Sequence, residues 1–152
     1  MKVIVCVDDS PFTEIMIKQL LQRRWHDDTQ FKILTVLEPI SMSPDPRMTE
    51  FLMLKREREA KKKLSAWRNL FSKEIPRSMV HIDIRHGSPV DEILKASVEW
   101  QPNKIVMGAH NKGICPRFNL GSVSGSVVKQ AFCTVEVFLR KWHQPQTGAV
   151  QR

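Results

Sequence analysis

The chain has 152 residues, of which 41% are hydrophobic and 26% charged, values that fit one compact globular domain and leave no room for a second. Such a domain buries roughly 70% of its unfolded surface without a disulfide or metal staple, no stretch approaches the roughly 20 apolar residues of a membrane span, and Cys6, Cys115 and Cys133 share no metal-ligand spacing. The formal net charge of +8 favours anionic partners in general, without choosing among nucleotide, nucleic acid and membrane surface.

Five short apolar runs alternate with helical patterns. Residues 3–7 (VIVCV) are continuously apolar, as in a parallel strand covered on both faces. Pro11 then opens a helix with Phe12, Met16 and Leu20 on one side. Residues 31–37 (FKILTVL) form a second strand, followed by a Pro-rich loop over 38–48. A long amphipathic helix carries Ala60, Leu64, Trp67 and Phe71 at helical spacing, and Pro76 closes it. In residues 79–85 (MVHIDIR), Val80, Ile82 and Ile84 alternate with His81, Asp83 and Arg85, which predicts a strand with one wetter face, near the sheet edge. The third helix follows Gly87, with Ser88 as N-cap, Pro89 in the first helical position and Asp91 and Glu92 in the first turn; its apolar side reads Val90, Ile93, Leu94 and Val98. Residues 105–107 (IVM) are a fourth strand. A helix beginning near Ser122 buries Val123, Val127 and Ala131, and residues 135–139 (VEVFL) are a fifth strand. This order predicts an α/β fold: a Rossmann-like, doubly wound, five-stranded parallel sheet with helices on both faces, over residues 1–140, with a mobile polar tail over 141–152.

Ligands of open α/β sheets bind beyond the carboxyl ends of the strands, so three segments are candidates. Directly after the first strand, Asp8 either caps the first helix or accepts hydrogen bonds from a ribose hydroxyl; Asp9 and Ser10 read as solvated and capping residues. The long segment 108–124 (GAHNKGICPRFNLGSVS) ends on Gly121 and Ser122 at a helix start, where free backbone N–H groups and the helix dipole suit a phosphate; an ordinary turn and cap is the alternative. The basic run 55–63 (KREREAKKK) reads as a solvated helix face with Glu57–Lys61 and Glu59–Lys63 pairs, in preference to a nucleic-acid site. No histidine pair has a recognised metal spacing, no nucleophile–base set is evident, and the glycine-lysine-serine of a Walker loop is absent. No catalytic and no metal residues are assigned, and Trp25, Trp67, Trp100 and Trp142 read as packing residues.

From Lys2 to about Leu139 the order of elements resembles the universal stress protein family. The residues that carry the resemblance are the opening VIVCVDDSP, the segment 87–93 (GSPVDEI), residues 104–108 (KIVMG), residues 120–124 (LGSVS) and residues 133–137 (CTVEV). ATP-binding members of that family carry a glycine, two residues, a glycine, nine residues, then glycine with serine or threonine. Gly108, Gly121 and Ser122 fill that pattern with its spacing intact, while Asn111 stands at the second glycine. Asparagine tolerates left-handed backbone better than most residues, yet its side chain crowds the approach of a phosphate. The resemblance implies an adenine nucleotide site made of Asp8 and Val36 for the nucleoside, with Met107, Gly108, Asn111, Gly121, Ser122, Val123 and Ser124 around the rest of the ligand. It also implies ATP, with Mg²⁺, as the ligand, a stand-alone regulator of a stress response with slow or no hydrolysis, and a homodimer paired through the last strand by Val135, Val137 and Leu139. A protein partner is expected, a membrane partner is not, and the reduced cysteines together with the absence of a signal-peptide pattern predict the cytoplasm. The alternatives are a family member that binds no ATP and acts through protein contacts, and a basic nucleic-acid-binding module.

Overall fold

The computed structural model describes residues 1–41, 44–109 and 120–139. The elements run β1 (Lys2–Cys6), α1 (Pro11–Leu21), β2 (Gln30–Leu37), α2 (Pro46–Phe71), β3 (Val80–His86), α3 (Pro89–Trp100), β4 (Lys104–Ala109), α4 (Ser122–Gln130) and β5 (Thr134–Leu139), with a 3-10 turn at Arg77–Met79 before β3. The sheet is wholly parallel, in the order β3-β2-β1-β4-β5. The chain therefore winds outward from β1 to β3, returns across the sheet, and winds outward again from β4 to β5.

Each face of the sheet carries its own core. Val3 and Val5 of β1, with Phe31 and Ile33 of β2, pack under Met16, Ile17 and Leu20 of α1 and under Leu64 and Phe71 of α2. The intervening Ile4 points the other way, joining Leu34, Ile105 and Met107 under Ile93 and Ala96 of α3 and Val127 of α4. That alternation explains why β1 reads as a continuous apolar run: both of its faces are roofed by helices. Trp25 sits edge-on to Phe31 at 5.0 Å between ring centroids and donates its indole N–H to the Leu20 carbonyl at 2.8 Å.

The wetter face expected of the third strand is present and lies at the sheet edge. Ile82 and Ile84 pack on the α2 side, while Asp83 and Arg85 turn toward α3. There Arg85 bonds Asp83 at 3.0 Å and reaches Glu99, and the hydrogen bond to Glu99 is the largest contribution holding its guanidinium charged, followed by Asp83.

Three expectations are corrected. α2 begins at Pro46, inside the expected loop, because the Asp45 side chain accepts the Arg47 N–H at 2.9 Å and Pro46 takes the first helical position; its first turns bury nothing, so they leave no core-facing period in the sequence. The pairs Glu57–Lys61 and Glu59–Lys63 are not formed: Glu57 reaches His86 at 3.5 Å and Lys63 reaches Asp9 at 2.6 Å, because neighbouring elements supply closer partners. In α3, Val98 is 64% exposed while Ala96 and Ser97 are buried, so the buried stripe is rotated from the expected one. As expected, Ser88 holds the N-cap position of α3, though without a side-chain cap bond, and α4 begins at Ser122, with Gly121 as its N-cap. Asn111, Cys115, Trp142 and the tail 141–152 lie outside the described residues.

Candidate functional site

The strand order reverses between β1 and β4, and a cavity of about 320 Å³ opens there at the carboxyl ends of both strands. This is the crevice that a doubly wound sheet leaves at its topological switch point, and its volume falls in the small-molecule range. Asp8, Val36, Met107, Gly108, Gly121, Ser122, Val123 and Ser124 all line it. Eight of the nine residues picked from the sequence are thus brought together, from four separate segments; the ninth, Asn111, falls outside the described residues.

Each wall has a local cause. Asp8 leaves β1 in a turn in which its Oδ1 accepts the Ser10 N–H at 3.0 Å and the Thr13 hydroxyl at 2.7 Å. The Asp8 N–H in turn donates to Thr13 Oγ1 at 3.3 Å. Asp8 therefore closes the turn that leads into α1, whose N-cap residue Ser10 makes no side-chain cap bond. Asp9 turns away to Lys63.

Gly108, in β4, lies beneath Phe12: a Cβ there would stand 3.0 Å from Cδ1 and 3.2 Å from Cε1 of the ring. Gly121 has φ 77° and ψ 159°, a conformation essentially restricted to glycine, and it aims the first turn of α4 at the cavity.

The electrostatics separate α4 from the other helices. Asp8 serves α1, Asp45 caps α2, and Asp91 and Glu92 sit in the first turn of α3. α4 alone among the described α-helices starts without a carboxylate, and its first turn, which lines the cavity through Ser122, Val123 and Ser124, has no side-chain cap among the described residues, so the positive end of its dipole is directed there. The Ser124 hydroxyl, in a residue 2% exposed, has no hydrogen-bond partner among the described residues. Opposite this polar end the cavity is apolar, with Cys6, Leu34, Ile93 and Met107 on its walls. Burial pushes the Cys6 thiol up to about 12, so it stays protonated and acts as a small apolar group.

The sequence reading missed Thr13, Glu38 and Ile93 as lining residues. Thr13 was findable, because a hydroxyl five residues after a strand-end aspartate is placed to bond back to it. A second, more polar cavity of about 230 Å³ shares Asp8, Val36 and Glu38 and continues beneath α2, where Arg56 donates to the Glu38 carbonyl at 2.8 Å.

The model of the universal stress protein family matches residues 1–138. The chain belongs to the universal stress protein family. A universal stress protein of Methanothermobacter thermautotrophicus is 37% identical over 70 residues, a match that spans 46% of this chain and 47% of that relative. Among solved structures, the protein MJ0577 superposes with a TM-score of 0.73 at 27% identity, over 93% of this chain and 97% of its own. A universal stress protein family protein from Arabidopsis thaliana, solved with AMP bound, superposes with a TM-score of 0.63 at 21% identity, over 93% and 92%. The shared universal stress protein fold is thus present along nearly the whole chain.

Proposed function

We propose that this universal stress protein binds an adenine nucleotide, ATP in the first place, in the β1/β4 cavity and acts as a regulator of a stress response with slow or no hydrolysis. The observation that carries the reading is the division of one cavity into an apolar slot and a polar end. The slot suits a flat base, Asp8 stands where a ribose would lie, and the uncapped start of α4 with the buried Ser124 hydroxyl suits phosphate oxygens. The AMP held by the Arabidopsis relative supports the class of ligand. No group of three or more metal-ligating side chains occurs among the described residues, so Mg²⁺ would arrive on the phosphates rather than in a protein cage.

Ligand occupancy would act by shifting the population of surfaces offered to a protein partner. The cytoplasm is the proposed location. The outer edge of β5, which pairs with no strand among the described residues, is the proposed homodimer contact. Val135 and Val137 already pack on the α3/α4 side of the sheet, so pairing would use the strand's backbone edge and Leu139, which is 60% exposed.

The test is calorimetric titration of the protein with ATP and Mg²⁺ and, separately, with AMP. Saturable binding by the native chain, strengthened in Asn111→Gly, is the expected result. No heat and no thermal stabilisation at millimolar nucleotide, in both the native chain and Asn111→Gly, would overturn the reading in favour of a member that works through protein contacts alone.

A further inference from the structure

α2 is longer than the sheet it covers. Arg56 is level with Glu38, just past the end of β2, and Glu57 is level with His86, the last residue of β3. Residues 46–55 consequently run on past the strand ends by about 15 Å at 1.5 Å per residue, and none of them is buried. An unsupported helix end is expected to be polar. This one presents Met48, Phe51 and Leu54, which are 49%, 61% and 50% exposed.

The same side of the helix changes chemistry toward the body of the protein. Met48 and Phe51 are continued, in steps of four and three, by Lys55, Arg58 and Lys62, with Lys61 alongside. None of these four cations has an ion-pair partner among the described residues. The acids of the run are drawn inward instead: Glu57 goes to His86 and Glu59 lines the cavity beneath the helix. The outcome is one convex ridge, apolar at its overhanging end and cationic behind it.

We propose that this ridge docks the protein reversibly on an anionic phospholipid surface, with Phe51, Met48 and Leu54 entering the headgroup boundary and the cations lying against lipid phosphates. A second copy of the ridge would oppose like charges. A nucleic acid would engage the cations and leave the three apolar side chains in water. An acidic protein would need a groove shaped to a convex helix, whereas a fluid headgroup layer accepts a ridge without one. The net charge of +8 adds long-range attraction to a negative surface. No helix among the described residues is long and apolar enough to cross a membrane, so the contact is peripheral; it revises the expectation of no membrane partner. Three partly inserted side chains and four cations make attachment weak and salt-sensitive rather than permanent.

The experiment is sedimentation of the full chain with vesicles of phosphatidylcholine containing about one-third phosphatidylserine, against pure phosphatidylcholine, at low and high salt, with duplex DNA and polyglutamate as competitors. The native chain should partition to the anionic vesicles only and be released by salt. Arg58→Gln with Lys62→Gln should weaken partitioning roughly 25-fold, at about fivefold per cation near the surface. Phe51→Ser should weaken it about tenfold, from the loss of one buried aromatic side chain. Both variants are expected to melt with the native chain, since the substituted side chains are exposed. Equal partitioning to both vesicle types, none to either, or binding indifferent to Phe51→Ser overturns the proposal. Stronger binding to DNA or polyglutamate than to vesicles overturns it equally, in favour of a nucleic-acid or acidic protein partner.

Discussion

Gly121 holds φ 77° and ψ 159°, and any side chain there costs about 1–3 kcal/mol of backbone strain. Gly121→Ala should lower the unfolding free energy by that amount and abolish nucleotide binding, because the strain is relieved only by re-aiming the start of α4; thermal melts and calorimetry read the two effects. The structural bonds of Asp8 and its proposed contact with a nucleotide can be separated by substitution. Asp8→Ala removes the acceptor used by Ser10 and Thr13 and should cost about 0.5–2 kcal/mol of stability together with at least a tenfold loss of ATP affinity. Asp8→Asn keeps an acceptor oxygen for the turn, so stability should return while affinity stays low; recovery of both would show that the charge is not used. The sequence pointed to Asp8 but left a helix cap and a ribose acceptor as alternatives, since both demand the same residue at the same place; the structure shows its turn bonds to Ser10 and Thr13. Gly108 was legible as a motif glycine, whereas its contact with Phe12 was not, because helix-to-strand proximity has no local signature.

The elements differ in what holds them. α2 is anchored by Leu64 and Phe71, its two buried residues, the first 1% and the second 0% exposed. Leu64→Ala should cost about 2–5 kcal/mol in denaturant unfolding, while Phe51→Ser should cost almost nothing. β5 is tied by charge to the segment after α1 and to β4: the Glu136 carboxyl accepts from Arg23 and, at 3.1 Å, from Lys104. The Arg23 hydrogen bond chiefly holds that carboxyl below its ordinary 4.5, opposed by burial and aided by Lys104. A carboxyl whose folded value is depressed stabilises the protein above its unfolded value and loses that contribution as pH falls through the folded one. The melting temperatures of native chain and Glu136→Gln should therefore differ near neutral pH, the native chain higher, and converge as the pH falls through the depressed folded value of that carboxyl; a constant difference would show that the contact acts by shape alone. The strands and the helix faces that pack on the sheet were legible because burial writes a period into the sequence. The first turns of α2 and the true buried side of α3 were not. Solvent imposes no period on the former, and small Ala96 and Ser97 rather than the large Val98 meet the neighbouring elements in the latter.

At the scale of the whole molecule, both outer strands have a backbone edge with no paired strand among the described residues, and the two edges differ. β3 is flanked on one face by the Arg85, Asp83 and Glu99 charges, which discourage a further strand. β5 ends on exposed Leu139 and follows Phe132, 96% exposed. Leu139→Asp should convert a dimer to monomer in sedimentation velocity at unchanged melting temperature; a native chain that is monomeric at 100 μM would remove the dimer from the proposal. The same strand order bears on how the chain is made. β1 is synthesised before either of its neighbours and lies at the centre of the sheet, bonded on one side to β2 and on the other to β4. The second bond must wait for the residues between Leu37 and Ala109 to leave the ribosome, roughly 4–14 seconds at 5–20 residues per second. Throughout that interval the apolar VIVCV edge stands open on a nascent chain, and the crevice between β1 and β4 has only one wall. The candidate site is thus among the last parts of the fold to be completed, after the strand that forms its first wall has waited longest for a partner.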